Sequence, residues 1–519
     1  MTTPFILLLC MVLPVVSVAA DSTPNSKASA EALRRRPQEG PHVKRGQPKG
    51  IKLQRSFAVS PEEAAQIRKH IANLAKIEKP DFGLSATMDG MAFAAIPGSG
   101  GATGGFLLTN HGLDTSDDVR ELVRFGPRAL PFLLKSLEDR TPTKLVHRHD
   151  SSFGGMFLST EMGSNPTNSL EQKAVSTLPK NDRLRDLRSL TQYTVKVGDV
   201  CFTIIGQIVG RRYQAARYQP TAIVYINSPV ESRVLAQAVR DVWSATNAPQ
   251  HLLDSLLFDY ATEGVFNGQS LDGWGIASEL QTSAALRMLY YFPDETAEMI
   301  ADRLARLDVR KVDDVTNHIA REVANGVRVE GFIKSVTQSS APAVQRELFN
   351  IFNRTGDPEL LLAVLPGIRS EEGDLVFKRL KQVIDELPAD EHGPYGIGYN
   401  SLVALGNRFG DAARPVFQDY LRNASLQRWR SMAMVLRKTR AQWAAELLRP
   451  ALTDKREFGW SYPVVPGHNE PRRPIRVCDE AAETISLSRT NLHFQMAGEH
   501  ENLDRQIATM QRDIERRQR

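Results

Sequence analysis

The sequence predicts a mainly α-helical protein in which many helices pack in series, and three observations lead to this prediction. A chain of 519 residues is longer than one ordinary domain, so it needs either two or more cores or one extended array of repeats. From about residue 111 onward, amphipathic helical segments follow one another, with apolar residues three and four positions apart. Two short sequence patterns also recur far apart in the chain, which indicates repeated helical units.

The first 20 residues have the composition of a secretory signal peptide. Residues 1–20 contain no charged side chain, and an apolar run over 5–16 is followed by small residues before Asp21. The usual basic residue near the start is missing, and the alternative is a retained membrane anchor. That run is short for a bilayer span and contains Pro14. We therefore predict an exported protein, periplasmic or extracellular after cleavage.

Residues 21–55 form a basic, Pro-rich leader that we expect to be disordered. They hold nine of the 65 Lys and Arg residues but only three of the 60 Asp and Glu residues, so the rest of the chain is close to neutral. A neutral body argues against a nucleic-acid partner, because binding nucleic acid requires a basic face. The leader is either a solvated spacer or a weak electrostatic contact with an anionic envelope surface.

Residues 56–110 are predicted to contain a helix followed by a glycine-rich loop. The helix begins in "SPEEAAQIRKHIANL", where Ser60 can act as the N-cap, Pro61 fits the first turn and Glu63 completes a capping box. Three apolar residues then form one stripe along the helix: Ile67, Ile71 and Leu74.

The glycine-rich stretch "AIPGSGGATGGFLLTN" at 95–110 raises the question of a phosphate-binding loop. Gly100 and Gly105 have the spacing of a P-loop, but Phe106 and Leu107 follow where phosphate and magnesium need Lys and Ser or Thr. A dinucleotide site needs a helix directly after the glycines, whereas "FLLTNHG" is typical of a short strand or turn. We therefore expect a small irregular or β element near 87–110 that acts as a hinge, and no cofactor.

The first recurring pattern consists of "FGPRALPFLLKSL" (125–137) and "FGDAARPVFQDYL" (409–421). Both stretches have Phe-Gly, an alanine three residues after the glycine, a proline two residues further on, and an apolar run. Ala129 then aligns with Ala413. This is the pattern expected where one helical repeat is joined to the next.

The second recurring pattern consists of "KVGDVCFTII" (196–205) and "RVCDEAAETI" (476–485). Each places a basic residue first and an aspartate three residues later, at the start of an apolar helix. We expect Asp199 and Asp479 to stabilise the helix N-terminus or to bond a neighbouring loop, in preference to acid–base chemistry.

In these two patterns, and in "LVALGNRFGDAARP" (402–415), the chain resembles HEAT-type helical repeat proteins of the exported bacterial kind. The resemblance is clearest at 117–139, 196–212 and 398–487. It implies that residues 111–490 form pairs of antiparallel helices that stack into an α-solenoid, because one pair cannot bury its apolar face alone.

A long polar insert at 140–192 interrupts the array, and we expect it to be a loop on one face. Within it, "HRHD" places His147, His149 and Asp150 close together. Two imidazoles two residues apart on an extended segment can both bind a metal ion, and the carboxylate can be a third ligand or orient one. The alternative is a solvated loop, in which these residue types are common.

Motifs of common hydrolases and redox enzymes are absent. The chain contains no Gly-x-Ser-x-Gly, no His-Glu-x-x-His and no Cys-x-x-Cys. Cys201 and Cys478 lie in apolar helical patterns, so we expect both to be buried free thiols.

Residues 491–519 are predicted to form a C-terminal helix with apolar residues at alternating spacings of four and three. Such a helix either caps the array or forms a short coiled-coil seam. The apolar residues are Leu503, Ile507, Met510 and Ile514.

These observations predict a non-catalytic, exported scaffold that binds a protein partner through a HEAT-like solenoid. The sequence does not identify the partner. The alternative function is a metal-dependent hydrolase that uses the 140–192 insert, with His147, His149 and Asp150 as the metal ligands.

Overall fold

The structure is a computed structural model, and part of the chain is described by it. All of the described residues belong to one compact unit, Val43–Arg519, and the other unit, Met1–His42, contains none of them. The predicted signal peptide, most of the leader and the glycines at 98–105 therefore lie outside the described residues. The described residues are 43–44, 50–78, 92–96, 116–149, 154–180, 187–219, 222–264, 276–312, 315–387, 396–422, 424–439, 443–463, 472–488 and 492–518.

The described residues are mainly α-helical, as predicted. In chain order the α-helices are α1 (Pro61–Asn73), α2 (Asp117–Phe125), α3 (Leu130–Lys135), α4 (Ser169–Ser176), α5 (Val197–Val209), α6 (Arg233–Trp243), α7 (Ala248–Ala261), α8 (Ile276–Tyr291), α9 (Pro293–Arg306), α10 (Val315–Asn325), α11 (Val329–Val336), α12 (Pro342–Arg354), α13 (Pro358–Val364), α14 (Gly373–Glu386), α15 (Ile397–Phe409), α16 (Arg414–Leu421), α17 (Leu426–Thr439), α18 (Ala444–Leu448), α19 (Val477–Ser488) and α20 (His500–Gln518).

The strands form small sheets. β2 pairs antiparallel with β5, β9 with β10 and β1 with β8, while β4, β3, β7 and β6 form a four-stranded sheet in which β3 and β7 are parallel. The strands are β1 (Val43–Lys44), β2 (Pro142–Arg148), β3 (Gly155–Ser159), β4 (Ser189–Leu190), β5 (Gln192–Lys196), β6 (Ala216–Tyr218), β7 (Ile223–Asn227), β8 (Glu263–Gly264), β9 (Glu457–Pro463) and β10 (Arg472–Arg476).

Helices of the second half pack on one another in a regular order. α8 packs on α11, α11 on α13, α13 on α15, α15 on α17 and α17 on α19. Their buried apolar residues belong to one continuous core cluster that begins at Ile67 in α1 and ends at Ile514 in α20. Among the described residues, no helix combines the length and hydrophobicity that a membrane span requires.

The first recurring pattern folds into the same joint in both places. α2 ends at Phe125 and α15 ends at Phe409, and in each case the next residue is a glycine with positive φ, +56° at Gly126 and +49° at Gly410. A short 3-10 turn follows each glycine and leads into the next helix. Residues other than glycine rarely adopt a positive φ. A glycine at this position therefore allows the chain to change direction between the two helices.

The prediction that residues 140–192 form a loop is wrong. This segment contains β2, β3, α4 and β4 and the first residue of β5. In β2 the buried positions are Thr143, Leu145 and His147. Two of these three residues are polar, so the sequence lacks the apolar alternation that would predict a strand. The Thr143 hydroxyl is satisfied by donating to the carbonyl of Val195 at 2.8 Å, which makes the buried position acceptable. Of the β element predicted near 87–110, only the turn at 92–96 is described.

Both ends of the described chain are packed. The last part of the predicted leader is not disordered: β1 pairs with β8, and Ile51 and Leu53 lie against the core. Helix α1 begins at Pro61 with the predicted capping box of Ser60 and Glu63. In α20 the four apolar residues of the C-terminal pattern are buried within this chain, the packing expected of a cap.

Arginines fasten the ends of neighbouring helices. The last carbonyls of a helix have no partner within it and carry partial negative charge, and a guanidinium can donate to several of them at once. These bonds run from Arg240 to Leu134, from Arg287 to Gln207, from Arg303 to Asn325, from Arg354 to Leu304, from Arg379 to Phe352 and Asn353, and from Arg408 to Leu365, Ile368 and Arg369.

Arg408→Lys tests this device. The planar guanidinium of Arg408 donates to three carbonyls after α13, and a lysine ammonium cannot reach all three. We therefore expect the free energy of unfolding in urea to fall by about 1–2 kcal/mol. The control is Arg422→Lys, because Arg422 is exposed and bonds Asp419 one turn earlier on α16. If the two substitutions lowered the free energy of unfolding equally, the bonds to the carbonyls would contribute no more than the exposed ion pair of Arg422.

Candidate functional site

The residues predicted to bind a metal lie in different environments. His147 lies on β2, is 5% exposed and pairs across the sheet with Tyr193, and burial lowers its pKa to about 4. His149 is half-buried, and its Nε2 lies 3.0 Å from the carbonyl oxygen of Ala222. Asp150 lies outside the described residues. Within the part of the chain that is described, no three or more His, Cys, Asp and Glu side chains are grouped to hold a metal ion.

A buried carboxylate, Asp199, stands at the start of α5. It accepts the backbone N–H of Lys196 at 2.9 Å, the hydroxyl of Tyr193 at 2.7 Å and the hydroxyl of Ser228 at 2.5 Å. The Lys196 ammonium donates to the Tyr193 oxygen at 3.1 Å and to Glu231 at 2.7 Å. Burial raises the pKa of both Asp199 and Tyr193. Asp199 therefore caps the helix and bonds a neighbouring loop, as predicted.

The second recurring pattern builds the same arrangement with different donors. Asp479 stands at the third position of α19 and accepts the backbone N–H of Arg476 at 3.1 Å. The guanidinium of Arg476 donates to it at 2.8 Å, and that of Arg473 donates at 3.4 Å. Arg473 and Arg476 thus occupy the places that Tyr193 and Lys196 hold around Asp199.

The likeness extends into the turn before each hairpin. Asp139 accepts the N–H of Thr141 on its side chain and that of Gly198 on its carbonyl, at 2.9 and 3.1 Å. Asp454 accepts the N–H of Arg456 and that of Cys478 in the same two ways, at 3.0 and 2.9 Å. The same turn, pair of antiparallel strands and helix therefore occur twice. In the first copy the chain forms β3, α4 and β4 after the first strand of the pair and before the second.

The two copies share the carboxylate and its bond to the N–H of the residue before the helix. The second copy has two guanidinium groups where the first has a phenol and an amine. We conclude that the carboxylate anchors the helix N-terminus to the hairpin in both copies.

A second buried ionic cluster lies beyond the C-terminal end of α5. Arg211 donates to Glu171 of α4 at 2.9 Å and to Asp259 of α7 at 2.6 Å, and all three side chains are 1% exposed or less. The amide of Asn165 also donates to Asp259. Because two carboxylates share one guanidinium, one negative charge stays uncompensated, and burial raises the pKa of Asp259 to about 6.

The sequence did not predict this cluster, although it places an arginine directly after the largely apolar stretch "VGDVCFTIIGQIVG" (197–210). In the structure every residue of α5 is buried, and so is Arg211. A buried arginine requires carboxylate partners. Glu171 and Asp259 are far from Arg211 in the sequence, and their spacing does not indicate that they meet it.

One surface of the described chain holds a polypeptide segment that has no regular secondary structure. We call the surface formed by Gln250 of α7, the C-terminal residue Tyr291 of α8, and Phe292 and Glu295 at the start of α9 the strip. It contacts residues 51–59, a segment without regular secondary structure that bends at Arg55 and lies just before α1. The contacts combine hydrogen bonds to main chain with one ion pair and aromatic packing.

A groove of about 500 Å³ lies between α3 and the link from α6 to α7. Its basic side chains are Lys135 and Arg240, and Arg240 is already bonded to the carbonyl of Leu134 and to Glu138. Arg240 is thus already paired. The rest of the lining mixes Lys135 with apolar and hydroxyl side chains, and this combination specifies no reaction.

Both cysteines are buried free thiols, as predicted. Burial raises the pKa of Cys201 far above its ordinary value and that of Cys478 to about 11. A thiol with a raised pKa is a poor nucleophile at neutral pH, so neither sulfur is suited to covalent catalysis.

Asp259→Asn tests the buried cluster through its dependence on pH. Because burial raises the pKa of Asp259 from 3.8 to about 6 in the folded state, protonation stabilises the fold, fully below about pH 4. That contribution is lost as the pH rises through 6. The variant lacks it, so its stability relative to the wild type should improve by on the order of 1–3 kcal/mol between pH 4 and pH 7.

The measurement is urea unfolding at several pH values in that range. Asp241→Asn is the control, since Asp241 is exposed on α6 and contacts Gln237. A difference between Asp259→Asn and wild type that stays constant with pH would contradict the account.

No family model, no curated protein and no solved structure matches this chain.

Proposed function

We propose that this chain is an exported, non-catalytic scaffold that binds a protein partner and is built on a HEAT-like solenoid. The observation that carries the proposal is the strip, which already holds a polypeptide segment, residues 51–59 of this chain. The Gln250 side chain both accepts from and donates to main-chain groups of that segment, as a surface that binds polypeptides can.

The solenoid part of the proposal is supported by the packing order of the helices. The series from α8 through α11, α13, α15 and α17 to α19 is the order expected of stacked repeats, in which each unit contacts its neighbours. The equivalent joints at Gly126 and Gly410 add the recurrence that a repeat array requires.

The non-catalytic part is supported by what the buried polar groups already bond. Asp199 and Asp479 cap helices, and Arg211 is committed to Glu171 and Asp259. His147 is buried on β2 and His149 contacts a backbone carbonyl, so their placement gives the metal-dependent hydrolase no support. Export rests on the composition of residues 1–20 alone, and contact of the basic leader with an anionic envelope surface stays a prediction.

The experiment is capture from envelope extract on immobilised residues 21–519, beside a chain that lacks 21–42. The proposal predicts one stoichiometric partner on both chains. A partner bound only when 21–42 are present would reduce the interaction to charge.

Metal content distinguishes the scaffold from the hydrolase. The scaffold predicts that the purified chain and its His147→Asn, His149→Asn double variant have the same metal content. Stoichiometric metal that disappears in the double variant would contradict the scaffold and support the hydrolase.

A further inference from the structure

We propose that the strip is a binding site for polypeptide segments that carry an arginine two residues before an aromatic residue, with aliphatic residues two and four positions before the arginine. Residues 51–59 are the intramolecular occupant of this site, and a partner polypeptide of the same pattern binds by displacing them. The inference rests on the proposed function and names the class of partner.

Gln250 recognises the main chain of the bound segment. Its side-chain oxygen accepts the N–H of Leu53 at 3.0 Å, and its side-chain nitrogen donates to the carbonyl of Ile51 at 2.8 Å. The same nitrogen donates to Asp254 at 2.8 Å, one turn further along α7, which fixes the orientation of the amide. One side chain thus bonds the main chain of two residues of the segment, so these bonds do not depend on which side chains those residues carry.

Arg55 supplies the specific contact. Its guanidinium donates to the carbonyl of Tyr291, the last residue of α8, and lies 3.7 Å from Glu295 near the start of α9. The group also lies 4.6 Å from the ring centre of Phe57. The helix end and the carboxylate both favour a positive charge, so an arginine at this position is recognised electrostatically.

Phe57 provides the apolar anchor two residues later. Its ring packs on Phe292 with 5.5 Å between the ring centres. An aromatic ring gives a large contact area with few rotatable bonds, and here it also covers the guanidinium of Arg55.

Apolar residues of the bound segment pack on both sides of a bend at Arg55. Ile51, Leu53, Phe57 and Val59 are half-buried and pack against the core. Arg55 itself is exposed, as are Lys52, Gln54, Ser56 and Ala58. The half-buried side chains and Arg55 therefore determine binding, and the other exposed positions tolerate any polar residue.

The segment can leave without unfolding α1. That helix has its own N-cap at Ser60, closed by the capping box with Glu63, so its first turn does not depend on residues 51–59. The contacts of the segment are a few hydrogen bonds, one ion pair, one ring pair and the packing of four half-buried apolar side chains at a partly solvated surface. Such segments are at the low-stability end of a folded chain.

The test uses the full chain and a fluorescent synthetic peptide of residues 48–60. In the Arg55→Ser, Phe57→Ser chain the intramolecular occupant is weakened, whereas the peptide keeps both residues. We expect this chain to bind the peptide at least about tenfold more tightly than the wild-type chain does, because a tethered segment competes at an effective concentration near millimolar.

Adding Gln250→Ala should weaken peptide binding at least about tenfold. Gln237→Ala is the matched control, because Gln237 makes the same kind of bond to Asp241 four residues later on α6. A peptide with serine in place of its arginine and phenylalanine should bind no chain. Circular dichroism and melting temperature establish that each chain is folded.

Two results would overturn the proposal: no binding of the peptide to the folded, weakened chain, or binding that Gln250→Ala leaves unchanged. These results are distinguishable from failure of the proposed function. If a stoichiometric envelope partner is captured equally by the wild-type and Gln250→Ala chains while the peptide does not bind, the scaffold stands and the strip is not its site.

Discussion

The bond from an arginine to the last carbonyls of a neighbouring helix is the interaction on which this structure depends. The carbonyls at and just after the end of a helix have no partner within it, and those that are shielded from water destabilise the fold if they stay unsatisfied. Arg287 and Arg379 donate to the last turns of neighbouring helices, and Arg408 donates to the turn that follows α13. Arg55 makes the same kind of bond to the end of α8, but from the segment before α1. The interaction that joins helices thus also holds a polypeptide on their surface.

The two copies of the turn, hairpin and helix show how a carboxylate can be retained while its surroundings change. Asp199 is bonded by a phenol and a serine hydroxyl, whereas Asp479 is bonded by two guanidinium groups. Both accept the N–H of the residue before the helix, and this requirement is common to them. In the first copy, strands and a helix between the hairpin strands bring Glu171 to Arg211, so the same region gains a buried ionic connection to α7.

The sequence predicts the helices well because their apolar periodicity follows from burial on one face. The joints at Gly126 and Gly410 and the aspartates Asp199 and Asp479 were also accessible, since local backbone requirements fix them. The strands at 140–192 were not, because β2 buries Thr143 and His147 and so hides its alternation. The strip could not be predicted either. Its parts are brought together by packing, and "IKLQRSFAV" alternates too weakly to distinguish a bound segment from a disordered leader.

The most direct measurement is amide hydrogen exchange at single-residue resolution on the full chain, comparing the Leu53 amide with the slowest amides of α7 and α8. The account predicts that Leu53 exchanges through local release of its segment, with an opening free energy well below that of the helices. Exchange of Leu53 only together with the slowest helix amides would contradict it, because residues 51–59 would then be a fixed part of the core.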